Sequence, residues 1–180
     1  MMSQVLSRLQ NDLLTAFFDL PSADQFVLTG GTALAGFYLH HRLSEDLGLF
    51  TLDQDAFTQI PTSIPTLAQM TDTTCNDTRV SPHLHQAFFS REDERVKMDV
   101  VLDAEPWFGA VQTWGSIRID ALENIAANKI TALFGRATPR DFVDLYFILN
   151  ETDLSLDVVL DMAKQKDTGL HEFYLAGWIH

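Results

Sequence analysis

The chain has 180 residues, 46% of them hydrophobic and 21% charged, the make-up of a soluble globular protein with room for one sizeable domain or a small domain with a helical appendage. Its net charge of −13 argues against a broadly basic, non-specific nucleic-acid binder, and no apolar run approaches the roughly 20 residues of a membrane-spanning helix. A start without a basic run and a single cysteine, Cys75, predict a cytoplasmic protein with no signal peptide and no internal disulfide.

Apolar residues at Val5, Leu6, Leu9, Leu13, Leu14, Phe17 and Phe18 repeat at helical spacing and predict a helix over 3–19. "PSADQ" ends it, and "FVLTG" reads as a short buried strand entering a tight turn. Helix is expected from Thr32 to His41, a strand from Asp46 to Thr51, and a further helix begun by Asp53, an acid suited to a helix N-terminus. The stretch from Ile60 to Asp77, with Pro61, Pro65 and many threonines, gives no firm pattern. Residues 84–90 and 96–102 read as paired strands joined at "REDER". "PWFGAVQTWGS" is an apolar connection, "IRID" a short strand or helix entry, and helices follow at 121–134, 139–150 and about 155–166. The order predicts an α+β protein: a core over 1–115 with a small mixed sheet flanked by helices, then a helical region over 116–180.

The chemistry concentrates in a few places. Two glycines between a strand and a helix, Gly30 and Gly31, let the backbone turn sharply and approach a phosphate, although neither standard glycine-loop pattern is present. In the strand after them, alternation puts Asp46, Gly48 and Phe50 on one face. In "VKMDVVLD" the acid Asp99 lies between Met98 and Val100, a costly place unless it meets a metal or a donor. Two such acids on neighbouring strands would suit Mg²⁺ with substrate phosphates. Taken singly, each acid reads more simply as a turn cap or as a strand-end acid paired with Arg or Lys. Seven of the 12 basic residues fall between Arg91 and Arg140, and charge alone gives no reason to treat them as more than solvated or paired.

Together these pieces resemble the nucleotidyltransferase fold of the polymerase-β type, and more closely the AbiEii/AbiGii toxin branch. The front motif of that branch, "GGTAL…R-x-S-x-D-[LI]-D-[LF]", is matched by Gly30, Gly31, Thr32, Ala33, Leu34, Arg42, Ser44 and Asp46, and its later acid by Asp99. The helical motif is matched by Lys129, Arg136, Arg140, Asp141 and Asp144 in "NKITALFGRATPRDFVDLYFIL". The resemblance implies a toxin of a bacterial toxin–antitoxin or phage-defence system that takes an NTP with Mg²⁺ or Mn²⁺ and passes its nucleotide to an acceptor, with tRNA the leading class and protein another, and a cognate antitoxin as partner. It implies metal binding by Asp46 and Asp99, a phosphate cradle of Gly30, Gly31 and Thr32 supported by Ser44, and triphosphate contacts from Lys129 and Arg136. Lys129 and Arg136 lie two helical turns apart and so share a face. Arg140, Asp141 and Asp144 are expected to support them, and the same residues also describe a helical hairpin held by Arg–Asp pairs across Pro139.

One position departs from the motif. Where the family has the second acid of its D-x-D pair, this chain has Gly48. Glu45 lies on the opposite strand face, and Asp103 is about 13 Å along the strand from Asp99, so neither replaces it. Three readings stay open: a natural non-catalytic nucleotide-binding relative, an enzyme with a rearranged one-metal site, or a substitution that silences a harmful enzyme. The histidines His40, His41, His83 and His85 lack a zinc-like spacing and read as surface residues. "HEFYLAGWIH" reads as a packing segment.

Overall fold

The structure is a computed structural model and describes residues 5–170, with the side chain of Asp77 excepted; the terminal segment "HEFYLAGWIH" lies outside the described residues. Its elements are α1 (Arg8–Phe18), β1 (Val27–Thr29), α2 (Gly30–Ala33), β2 (Asp46–Thr51), α3 (Gln54–Met70), β3 (Thr74–Val80), β4 (Leu84–Arg91), β5 (Glu94–Leu102), β6 (Gln112–Trp114), β7 (Ile117–Ile119), α4 (Leu122–Arg136), α5 (Pro139–Glu151) and α6 (Leu156–Lys166). Two compact units divide the chain. One comprises the chain up to Asp103 with Val111–Asp120; the other comprises Ala104–Ala110 with the chain from Ala121 onwards.

The first unit is built on one mixed sheet of seven strands, ordered β3-β4-β5-β2-β1-β7-β6. β2 runs parallel to β5 and β1 parallel to β7, and the remaining pairs are antiparallel. Alternation sorts the faces: Leu47, Leu49, Val96, Met98 and Val100 are buried, while Asp46, Gly48, Phe50, Lys97 and Asp99 are only half-buried on the other side. Helices α1 and α3 cover the buried face. α1 begins at Arg8, later than its apolar stripe suggests, because Ser7 and Gln10 form a reciprocal capping box there. Leu9, Leu13, Leu14 and Phe17 are then fully buried, each contributing about 1.5–3 kcal/mol.

The uncertain stretch proves to be regular. α3 runs through both Pro61 and Pro65, and Asp53 starts it by accepting from the Ala56 N–H at 2.7 Å. An interior proline removes a helical hydrogen bond at a cost of about 3 kcal/mol or more. Burial of Phe57, Ile60 and Leu67 against the sheet offsets that cost, and both prolines lie on the less buried side. The β4–β5 hairpin is longer than its apolar core, since the charged residues at the turn pair as well, Arg91 with Glu94 and Ser90 with Arg95. His85 corrects the surface assignment of the histidines. It points to the core side of β4, is 8% exposed, and stacks on Phe57 with ring centroids 4.0 Å apart. That burial pushes its imidazole below the ordinary value, the Phe57 backbone opposing.

In the second unit α4 packs on α5 and α6. Ile125, Ala126, Ile130 and Leu133 of α4, Ile148 of α5, and Val159 and Ala163 of α6 are among its buried apolar residues. Ala137 closes α4 in the left-handed conformation, and Pro139 opens α5 where its missing N–H is not needed. Among the described residues, no helix is long and apolar enough to cross a membrane.

Candidate active site

β1 delivers the chain to Gly30, whose φ of +70° lies in the left-handed region that favours glycine. Gly31 serves a different need: a Cβ there would collide with the Arg42 guanidinium and approach Ser44 Oγ at 3.4 Å. The glycine pair therefore both turns the chain and makes room for a cation laid against the turn. Thr32 is buried, and its hydroxyl pairs with Ser44 Oγ at 2.7 Å and with the Asp46 carbonyl. The Ser44 carbonyl accepts from Gln10 Nε2 at 2.7 Å. Thr32 and Ser44 thus tie the glycine turn to the start of β2, a scaffolding use of hydroxyls that the motif places at the phosphate cradle.

Asp46 and Asp99 emerge on the same face of neighbouring parallel strands, with Gly48 directly opposite Asp99 in register. Between the two acids stands Lys97. Its Nζ lies 3.1 Å from Asp46 Oδ2 and 3.0 Å from Asp99 Oδ2. Burial opposes the charged ammonium, but hydrogen bonds and charge from Asp99 and Asp46 outweigh it and hold the Lys97 pKa above its ordinary value. Gln86 on β4, opposite Asp99 in register, donates to Asp99 Oδ1 at 2.8 Å. Neither Lys97 nor Gln86 was singled out in the sequence. A lysine two residues before an acid on one strand was a usable signal, because alternation puts both on one face. Asp120, at the end of β7, also passed unnoticed; it is buried, accepts from Thr29 Oγ1 at 2.5 Å, and its carbonyl accepts from Tyr38.

The donor set fits one ion. Mg²⁺ takes hard oxygen ligands and is commonly held by one or two carboxylates, with substrate phosphates completing its shell. Asp46 and Asp99 aim one oxygen each at a common point. The position of a third carboxylate belongs to Gly48, and no group of three His, Cys, Asp or Glu side chains among the described residues is arranged to hold a metal.

The helical motif residues lie in the second unit. Lys129 is buried, its Nζ held by Asp141 Oδ1 at 2.9 Å and Asp144 Oδ2 at 2.6 Å. Arg136 reaches Asp141 through Nε at 3.0 Å and Nη2 at 3.3 Å, yet its side chain remains 63% exposed. Thr138 Oγ1 donates to Asp141 Oδ2 at 2.7 Å. Asp141 is thus the hub of a hairpin tie across Pro139, Lys129 is its buried counter-charge, and Arg136 presents charge outward. Arg140 is exposed on α5.

Burial alone would raise the Asp141 pKa, but hydrogen bonds from Arg136, Lys129 and Thr138 bring it down from 3.8 to about 2. A carboxyl group whose folded pKa is depressed stabilises the fold above its unfolded value. The contribution, about 2 kcal/mol, is therefore complete above roughly pH 4 and disappears as pH falls towards 2. Urea titrations between pH 5 and 2 check this: wild type is expected to lose about 2 kcal/mol more than Asp141→Asn across that window.

A glycine turn leaving one strand, with carboxylates facing the same way on two parallel neighbours, is the arrangement of a nucleotidyltransferase-type fold. The chain belongs to the family of the nucleotidyl transferase AbiEii toxin of type IV toxin–antitoxin systems, which it matches over residues 12–176. Two solved structures from Helicobacter pylori share the fold. One, solved as a candidate nucleotidyltransferase, is 23% identical, with 95% of this chain and 83% of that chain covered at a TM-score of 0.60. The other, JHP933, is 23% identical, with coverage of 90% and 77% and a TM-score of 0.57. No curated protein gives a significant match.

Proposed function

We propose that this chain transfers the nucleotide part of an NTP to a hydroxyl of an RNA acceptor, tRNA foremost, as the toxin of a cytoplasmic defence system kept in check by an antitoxin. The observation that supports it is the convergence of Asp46 and Asp99 on one point beside the glycine turn. Held there, a Mg²⁺ or Mn²⁺ ion would neutralise phosphate charge and orient the α-phosphorus. Asp46 and Asp99 hold and aim; Gln86 fixes the rotation of the Asp99 carboxylate. The Gly30–Gly31 turn offers backbone without a Cβ, and Arg42 beside it supplies positive charge for the triphosphate. Arg136, an exposed cation held by Asp141, is assigned a phosphate contact on family resemblance alone. The acceptor hydroxyl attacks the α-phosphorus in line: an O–P bond forms, the hydroxyl proton passes to solvent, the bond from the α-phosphorus to the bridging oxygen breaks, and pyrophosphate leaves.

A second reading has its own observation. Gly48 removes a carboxylate from the site, which favours nucleotide binding without turnover. The test is transfer from each α-labelled NTP, with Mg²⁺, to total tRNA and to total protein. Labelled tRNA, reduced at least about 100-fold in Asp99→Asn, is the expected result. Labelled protein instead would replace the acceptor, and NTP binding without label on either would establish the binding reading.

A further inference from the structure

The Asp46–Asp99 pair already has a cation. Lys97 projects from the same face of β5 as Asp99 and spans the gap to Asp46 on β2, so one ammonium bridges both carboxylates at 3.0 and 3.1 Å. Its partners are preset for that bridge. Gln86 occupies the other oxygen of Asp99, leaving Oδ2 for the gap. The Asp46 main chain is fixed through its carbonyl by buried Thr32. The cluster is partly open to solvent, the side chains of Lys97, Asp46 and Asp99 being 27%, 44% and 26% exposed.

A divalent ion bound by both oxygens would sit about 2.0–2.1 Å from each, inside the ammonium's own distance, and would repel it. Occupation by the ion and by the Lys97 bridge is therefore mutually exclusive. With Gly48 in place of an acid, the pair's charge of −2 is half cancelled by Lys97, and no third carboxylate restores it. The anion able to compensate is the substrate. A triphosphate brings negative charge both for the incoming ion and for the displaced ammonium, which can turn on its flexible stem to meet it.

We propose that Lys97 is a placeholder cation that keeps the Asp46–Asp99 pair closed to divalent ions until a nucleoside triphosphate arrives. The proposal deepens the functional reading above and rests on its assignment of Asp46 and Asp99 as the metal pair. It makes Lys97 a positioning residue whose charge sets the order of binding: nucleotide with metal, never metal first.

Mn²⁺ binding to the full chain without nucleotide, followed by electron paramagnetic resonance, tests it apart from activity. Lys97→Met is expected to bind one Mn²⁺ at least tenfold more tightly than wild type. Lys97→Arg, which keeps the charge, is expected to bind as weakly as wild type, and adding Asp99→Asn to Lys97→Met is expected to abolish the gain. Equal, weak binding by wild type and Lys97→Met, with tight binding by Gly48→Asp, would overturn the placeholder while leaving the metal pair standing. Absence of a site in every one of these variants would overturn the metal assignment along with it.

Discussion

Lys129→Met is expected to destabilise the second unit by roughly 3–5 kcal/mol, measured by urea unfolding at neutral pH. Lys129 is buried between Asp141 and Asp144, whose side chains are 1% and 0% exposed. Breaking a buried ion pair from one side leaves the opposite charge buried with less compensation, which is worse than never having the pair. Asp141 retains Arg136 and Thr138 after the substitution, while Asp144 loses its 2.6 Å contact with the ammonium. The double variant Lys129→Met/Asp144→Met is therefore expected to be more stable than Lys129→Met alone, because two apolar side chains replace two charges. Equal stability of the single and double variants would show that Asp144 tolerates the loss of Lys129. The same pair of variants separates architecture from chemistry: a lysine that only secures the α4–α5 hairpin leaves transfer activity in the folded double variant.

Gly48→Asp is expected to raise nucleotide transfer roughly 100-fold or more, in line with what one well-placed charge contributes at an active site. The backbone is ready for it. The nearest atoms a Cβ at Gly48 would meet are the Thr29 carbonyl at 3.6 Å and the Phe50 and Thr29 side chains at 3.9 Å, ordinary contacts that nothing must move to admit. The new carboxylate would stand opposite Asp99 and on the face of Asp46. Three acids around one lysine repel one another, so the variant is expected to melt below wild type without metal and to recover with Mg²⁺. Transfer unchanged from wild type would mean that Asp46 and Asp99 already suffice.

Much of this was legible from residue order because strands and helices impose their own periods. Alternation in "SEDLGLF" and "VKMDVVLD" placed Asp46, Gly48 and Asp99 on consistent faces, and the parallel pairing of β2 with β5 made those faces one. That pairing was not itself readable, since it joins segments about fifty residues apart through tertiary packing. Lys97 was overlooked for the same reason: beside one acid it looks like a solvated charge, and only the second strand makes it a bridge. Lys129 carries a triphosphate contact by resemblance, and nothing in residue order marks it as buried. Its burial depends on Asp144, one turn beyond Asp141, reaching the same ammonium. α3 was obscured by Pro61 and Pro65, whose local veto is overridden by the sheet beneath it.

The seam between β2 and β5 carries one further consequence. The β4–β5 hairpin turns in two residues and can form locally, whereas β2 must find β5 across more than forty residues of intervening chain. Asp99 and Lys97 thus share a strand from the outset, while Asp46 joins them only once that loop has closed. A nascent or half-assembled chain holds the parts of the site but not the site. For a protein of a toxin family, harm is in this way postponed until the fold is complete.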